Sequence, residues 1–344
     1  MTQLKNMLFV IFLLMYTIAA HSTDVLIIGG GPSGLGTAIE AYQKGMNVRV
    51  VEKEKDCLHA YWVFLTKASL SLLDKWKVTI PEMTMVQFEG KSTGLVQIKY
   101  LNRALKNRVK ELGIERTLGK FIAVDESNFT AEINTLNGKI FIPYDFIVAA
   151  DGSQSHLRKQ LGMDCDPSYQ TVGAWAFFPF DNSGGAITSE IIDQQYYYIR
   201  RILLPGGSAI SLQGVCYDPK FFSNYTLAQF RERLLAQGWT LEAEMIRARN
   251  PNVIYENNMS VFLQKAQTFS NKESRILLVG EAAASATFFD CIGLNTALQS
   301  AVYAGDFFSK PYKDRSYKKF NQKMEAASKQ LLDYSAYLFS QCAS

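Results

Sequence analysis

The sequence predicts an α/β fold in which a parallel sheet is interrupted by a mainly antiparallel one and then resumed, and three observations predict it. The apolar run Val25–Ile28 passes directly into Gly29-Gly30-Gly31-Pro32-Ser33-Gly34, the stretch 35–44 reads as a helix, and a second strand over 47–51 ends at Glu52. Two more runs, 146–150 and 275–279, are almost wholly apolar, as in strands buried on both faces, where alternation is lost. Between them, from about 166 to 268, the runs 172–180, 195–204 and 209–217 are strand-like and rich in aromatics, the pattern of antiparallel sheet.

The first unit has a mechanical reading. Gly29 permits a tight turn off the strand, Gly31 lets backbone approach a pyrophosphate, and Gly34 lets the helix pack closely on the sheet. The helix N-terminus then offers unpaired N–H groups and the positive end of its dipole to the phosphates. Glu52, 18 residues beyond Gly34, would accept hydrogen bonds from an adenosine ribose and disfavour a 2′-phosphate. Strand, Gly-x-Gly-x-x-Gly turn, helix, strand and acid in that order predict an adenine dinucleotide. Pro32, Ser33 and Lys53 are taken with these residues as candidate contacts.

Farther along, 61–76 reads as a loop followed by a helix, with Leu65, Leu70, Leu73 and Trp76 at roughly helical spacing. A second helix over 103–112 carries Leu105, Val109 and Leu112 on one face and stops at Gly113. Short antiparallel strands are expected at 121–124, 130–135 and 139–142, with Asn137-Gly138 as a hairpin turn. A helix over 226–237 ends before Gly238, and Gly280-Glu281 leads into a helix-like run through 295–308. Tyr196, Tyr197 and Tyr198 place aromatics on both faces of the antiparallel sheet.

With 344 residues, 48% apolar and 20% charged, the chain has the composition of an ordinary globular protein and no size barrier to enclosing a cofactor. The net charge of +4 is uneven: 310–323 holds Lys310, Lys313, Arg315, Lys318, Lys319 and Lys323 against Asp314, and the remainder is close to neutral. No basic stripe covers the body, which excludes nucleic acid as a partner. The basic segment reads as a solvated helix face, with attraction to an anionic membrane surface as the alternative. In residues 1–22, Lys5 precedes an apolar run from Met7 to Ala20, followed by Ser22. Length and flanks suit a secretory signal, or else a short anchor, so the protein is expected to be exported or membrane-associated. Five widely spaced cysteines (Cys57, Cys165, Cys216, Cys291, Cys342) show no metal-ligand spacing and no disulfide framework. Asn128, Asn224 and Asn258 match the glycosylation acceptor pattern, which matters only in a eukaryotic secretory pathway.

Four separated segments together resemble one family: Gly29 to Gly34, Asn102-Arg103-Ala104-Leu105, Asp151-Gly152-Ser153-Gln154-Ser155-His156-Leu157-Arg158, and Leu277-Leu278-Val279-Gly280-Glu281-Ala282-Ala283. Their order and spacing are similar to those of the FAD-dependent monooxygenases of the para-hydroxybenzoate hydroxylase fold. The resemblance implies a discontinuous Rossmann-type, GR2-like FAD-binding domain (23–77, 101–165 and 271–308) and a mainly antiparallel β-sheet substrate domain (78–100 and 166–270). A basic helical segment, 309–344, follows. By the same resemblance Gly29, Gly31, Gly34 and Glu52 hold the ADP half of FAD, and Arg103 meets the pyrophosphate with its fork of donors. Asp151 and Gly152 lie near the pyrophosphate and a nicotinamide nucleotide, NADPH or NADH. Gly280 and Glu281 face the ribityl chain, Cys291 and Ile292 occupy the backbone region near the isoalloxazine ring, and Gly293, Leu294 and Asn295 count among the cofactor-binding residues.

Two departures stand out. The family has Gly-Asp where this chain has Gly280-Glu281, which keeps the acceptor but adds a methylene. Its Pro-x-x-Gly-x-Gly-x-Asn appears as Phe288-Phe289-Asp290-Cys291-Ile292-Gly293-Leu294-Asn295, with Cys291 read as a redox thiol or, preferably, a small apolar filler. No catalytic acid or base is assigned; His59 is a candidate polar group or a surface histidine. Trp175, Phe177, Tyr196 and Tyr198 are candidates for lining an apolar pocket, or are core. The resemblance implies an NAD(P)H-dependent insertion of one oxygen atom from O₂ into an apolar or aromatic small molecule. Three alternatives stay open: a flavin reductase of polyprenyl double bonds, an oxidase using O₂ alone, and a non-catalytic module that keeps the fold for interaction.

Overall fold

The computed structural model describes residues 24–57, 61–88, 90–165, 169–181, 188–194, 197–204, 206–214, 226–286 and 292–340. The readings placed on 1–22, His59, Tyr196, Cys216, Asn224, 288–291 with Cys291, and Cys342 lie outside the described residues.

The chain opens as its pattern requires, with β1 (Val25–Ile28), α1 (Pro32–Gln43) and β2 (Val48–Glu52). Residues 61–76 were expected to be loop and helix; they begin instead with β3 (Trp62–Leu65) before α2 (Lys67–Lys75), whose Thr66 accepts from the Ser69 N–H as N-cap. Four residues are too few to show a period, and only pairing makes them a strand. A hairpin, β4 (Thr84–Phe88) and β5 (Lys91–Gln97), leads into α3 (Ile98–Glu111), which starts a turn earlier than its apolar spacing suggests. Next come β6 (Glu115–Leu118), the meander β7 (Lys120–Asp125), β8 (Thr130–Thr135) and β9 (Gly138–Pro143), then β10 (Phe146–Ala149) and α4 (His156–Gln160).

The second half holds β11 (Tyr169–Pro179), β12 (Thr188–Gln194), β13 (Tyr197–Leu204) and β14 (Gly207–Gly214). It continues with α5 (Leu227–Ala236), which carries a Thr226–Gln229 capping box, then α6 (Thr240–Arg247) and the long β15 (Ile254–Lys265). The chain then forms β16 (Ser270–Asn271), β17 (Ile276–Leu278), a 3₁₀ turn Gly280–Ala282, β18 (Ala284–Ser285), α7 (Gly293–Phe308) and α8 (Tyr317–Ser340).

One six-stranded sheet has the order β16-β17-β10-β1-β2-β6, parallel except at β16. Its centre is wholly buried: Val25, Leu26, Ile27, Ile147, Val148 and Leu277 are fully enclosed. Helix α1 lies close to α7 because glycines stand where they cross: a Cβ on Gly36 would meet Ala301 Cβ of α7 at 3.2 Å as well as the Trp76 ring at 2.8 Å, and one on Gly305 would meet Glu40 at 2.7 Å. Glu40 is itself buried, and its Oε1 accepts from Trp76 Nε1 at 2.7 Å and Lys75 Nζ at 2.5 Å, fastening α2 to α1.

The other six-stranded sheet, β12-β13-β14-β11-β15-β18, is antiparallel where the strands pair, and its two faces do different things. Ala174, Ala176, Phe178, Ile199, Ile210 and Leu212 pack under α5 and α6. Glu242 of α6 is fully buried there and accepts from Arg201 Nε and Ser208 Oγ, each at 2.9 Å. The opposite face, with Phe177, Ile202, Leu204 and Ala209, packs on Phe64 and Leu95 of the small sheet β3-β5-β4. This alternation is the period of two expected of strands with both faces covered.

The basic segment is not simply a solvated helix face. Arg315 lies over the rings of Phe146, Phe308 and Tyr312, with its carbon 4.7 Å from the Phe146 centroid, and burial lowers its pKa; Lys323 pairs with Asp306 at 2.6 Å. The expected export or membrane attachment through 1–22 is corrected. Among the described residues no helix is long and apolar enough to cross a membrane.

Tyr144 and Tyr317 are both pushed up to about 12, chiefly by burial. The folded chain therefore keeps protons that unfolded tyrosines release near pH 10, so the stabilisation from these groups is complete below pH 10 and is lost as pH climbs through about 12. Spectrophotometric titration of tyrosinate should show Tyr144 and Tyr317 among the residues that ionise late, and Tyr144→Phe should remove one late step.

Candidate functional site

The four sequence segments meet at the N-terminus of α1. Gly29 has φ +111°, and a Cβ there would stand 2.2 Å from the Ala150 carbonyl oxygen, so β1 can turn only with glycine at this position. A Cβ on Gly34 would stand 2.0 Å from the Gly29 carbonyl oxygen. By contrast nothing lies within 4 Å of a Cβ built on Gly31, the N-cap of α1, so open space stands above the turn. Pro32 fills the first helical turn, where its missing N–H costs nothing. Ser33 is buried and meets the fourth segment: a Cβ on Gly280, at φ +57°, would lie 2.2 Å from Ser33 Oγ.

Glu52 Oε2 accepts from the Gly30 N–H at 2.6 Å, and Oε1 accepts from Glu54 N–H at 3.0 Å, so the acid braces the turn as well as facing the groove. Asn102 braces it from the other side, donating through Nδ2 to the Gly30 carbonyl at 3.2 Å. A cavity of about 530 Å³ opens here, with Glu52, Cys57, Asn102, Arg103, Lys106 and Arg116 in its wall. Arg103 is exposed, pairs with Glu82 and lies over the Tyr100 ring. Lys53 is exposed, pairs with Glu54 at 3.5 Å and stands outside the cavity wall.

Asp151 follows β10 and caps α4: Oδ2 accepts from the N–H groups of His156 (2.8 Å) and Leu157 (3.3 Å), while Oδ1 is buried without a partner among the described residues. Gly152, at φ +88°, turns the chain beside it. Arg158 then ties this segment to the next, with Nη1 donating to the Ala282 carbonyl at 2.7 Å and Nη2 to Ser153 at 2.9 Å. Gln264 of β15 also donates to the Ser153 carbonyl, which brings the antiparallel sheet into the network. Glu281 is exposed on its 3₁₀ turn. Gly293 and Leu294 open α7 half-buried, and Asn295 links α7 to β3: its Oδ1 accepts from Thr66 N–H (3.0 Å) and Ser69 Oγ (2.6 Å), and its Nδ2 donates to Phe64 O (2.9 Å).

Trp175 and Phe177 stand on the sheet face turned toward β3, with Tyr61 edge-on to Trp175 and Trp62 against Phe177. Trp62 Nε1 is buried there without an acceptor among the described residues. Arg200 shares that face, is 4% exposed and lies over Phe88. No motif announces it; register alone puts it beside Ser211, and Ser211 beside Trp175. Among the described residues no cluster of ligands fits a metal.

A family model for pyridine nucleotide-disulphide oxidoreductases matches residues 23–305. The chain belongs to that family. It is a flavin-dependent oxidoreductase and an enzyme, with FAD as its cofactor; the non-catalytic alternative is set aside. Its sequence is 23% identical to digeranylgeranylglycerophospholipid reductase 1 of Methanococcoides burtonii over 316 residues, which span 82% of this chain and 73% of that protein. In fold it is similar to p-nitrophenol 4-monooxygenase PnpA of Pseudomonas putida, with a TM-score of 0.74, 17% identity, and 93% and 88% of the two chains covered. A flavoprotein/dehydrogenase of Cytophaga hutchinsonii gives a TM-score of 0.71 at 16% identity, covering 92% and 85%. This oxidoreductase thus has the para-hydroxybenzoate hydroxylase-like flavoprotein fold expected from its four segments.

Arg158→Met keeps the volume of the buried stem but removes its charged donors. The substitution should lower stability by about 1.5–3 kcal/mol for each hydrogen bond lost. Urea unfolding of the two proteins measures it.

Proposed function

We propose that this enzyme uses NADPH or NADH and O₂ to insert one oxygen atom into an apolar or aromatic small molecule. The observation that carries the reading is the aromatic wall of Tyr61, Trp62, Trp175 and Phe177 between β3 and the antiparallel sheet. Such a wall suits an apolar substrate and excludes water from the reacting centre. The division into a discontinuous FAD domain and a sheet domain that covers the flavin belongs to this proposal.

The residues present fit an FAD. Open space above Gly31, the cavity beside Glu52, and the unpartnered Asp151 Oδ1 leave room and hydrogen-bonding capacity where a dinucleotide would lie. In this reading Gly29, Gly31, Pro32, Ser33 and Gly34 shape the pyrophosphate cradle, Glu52 takes the ribose hydroxyls, and Arg103 supplies the positive charge. Asp151 and Gly152 border the pyrophosphate, Glu281 accepts from the ribityl chain, and Gly293, Leu294 and Asn295 border the ring system. Bound FAD supplies storage of two electrons and reaction with O₂. The chain's own work is positioning: Asn295 fixes β3 against α7, and Arg158 fixes Ser153 against Ala282.

A second reading, reduction of polyprenyl double bonds, is favoured by the sequence relatives, several of which are digeranylgeranylglycerophospholipid reductases. It needs no O₂, which separates the two.

The purified full chain should show a two-banded flavin spectrum that bleaches when NADPH is added without oxygen. Substrate-stimulated O₂ uptake then supports the monooxygenase, and saturation of a double bond without O₂ uptake supports the reductase. Absence of flavin even after incubation with FAD would sink both. Glu281→Asp should change the rate of bleaching by less than about tenfold, or 1.4 kcal/mol in barrier; a larger gain from an inert start would mean that glutamate had cost the site its activity.

A further inference from the structure

Gly30 is held at both ends by side chains that share the wall of one cavity. Its N–H donates to Glu52 Oε2 at 2.6 Å, and its carbonyl accepts from Asn102 Nδ2 at 3.2 Å. A carbonyl oxygen can only accept, so the amide of Asn102 must present its NH₂ to Gly30. That orientation leaves Oδ1 as the other end of the amide, and this atom is buried with no donor among the described residues. Asn102 is 3% exposed, yet it forms part of the wall of the cavity of about 530 Å³. Buried acceptors without donors are exceptions in folded proteins, and one beside an open cavity calls for a donor that a ligand brings.

The chemistry of that donor is narrow. A pyrophosphate carries only acceptors at neutral pH, so it cannot complete Oδ1. A ribose hydroxyl or an adenine amine can. The same side chain also sets the aim of the turn. In a trans peptide plane the C=O and the following N–H point in opposite directions. By holding the Gly30 carbonyl, Asn102 therefore directs the Gly31 N–H away from itself, at the open N-terminus of α1, where anions are bound.

We propose that Asn102 is a positioning residue for the dinucleotide, paired with Glu52 across Gly30: Nδ2 sets the glycine turn, and Oδ1 accepts a hydrogen bond from the adenosine half of the ligand. The proposal rests on the reading of this cavity as the FAD site and adds a residue that the Gly-x-Gly-x-x-Gly pattern does not contain.

The test uses the full chain freed of flavin, titrated with FAD and with ADP by calorimetry, alongside thermal melting with and without FAD. Asn102→Leu removes both polar ends at similar volume, and Asn102→Asp replaces the donor facing Gly30 with a second acceptor. Both variants should bind FAD and ADP at least tenfold more weakly and lose most of the FAD-induced rise in melting temperature. Flavin-free Asn102→Leu should still melt cooperatively but below the parent, since it removes the donor to the Gly30 carbonyl along with the unpaired acceptor. Affinities within twofold of the parent in both variants would overturn the role, as would loss of the cooperative melt in both, which marks Asn102 as structural. A parent chain that binds neither FAD nor ADP would instead overturn the functional reading itself.

Discussion

Between Gly34 and the carbonyl of Gly29 there is no room for a side chain: a Cβ would lie 2.0 Å from that oxygen, and one on Gly29 would lie 2.2 Å from Ala150 O. These two contacts let α1 start directly against the ends of β1 and β10. Everything else at the site is referred to that start. The segment after β17 comes near enough for Gly280 to need glycine against Ser33, and the acid at the end of β2 reaches back to the Gly30 N–H. Loosening the turn by one methyl group would displace three pieces of chain at once, since close-packed interiors transmit such shifts rather than absorb them.

The antiparallel sheet joins this centre through its β15 edge, and its two faces are covered differently. Its helix-covered face is closed by Phe230, Leu234 and Trp239 and by the buried Glu242. The other face is shared with β3, β4 and β5 and carries the aromatic wall and Arg200. Division of labour between faces follows from strand alternation, so a residue's parity decides whether it serves stability or lies near the chemistry. On β13, Arg201 clips a helix while Arg200, its neighbour in sequence, lies on the side of the proposed substrate.

Polar groups at the centre are used more than once. Arg158 joins Ser153 to Ala282 without a carboxylate partner in those bonds, and Gln264 joins the same Ser153 carbonyl from the antiparallel sheet. Asn295 does the equivalent work between α7 and β3. Arg103 is engaged with Glu82 and Tyr100 in this structure. In the proposed reading the groups that hold the backbone also border the cofactor, which makes binding and folding of these segments one event, the expected basis for stabilisation by ligand.

The sequence alone determined the strand–turn–helix–strand unit, the buried strands β10 and β17 and the meander of β7 to β9. Each is written in local terms: a glycine spacing, an unbroken apolar run, a turn at Asn137-Gly138. The candidate residues Gly29, Gly34, Glu52, Asp151 and Gly280 were legible for the same reason. Tertiary structure decided the rest. Strand β3 is too short to declare itself and exists through pairing with β5, while β12 and β15 carry polar residues that only the register with β13 and β11 places in a sheet. Arg200 and Gln264 entered the site, Asn102 of the second segment proved to brace Gly30, and Lys53 stayed outside the cavity wall, because hydrogen bonds and packing between segments far apart in sequence have no signature in the order of residues.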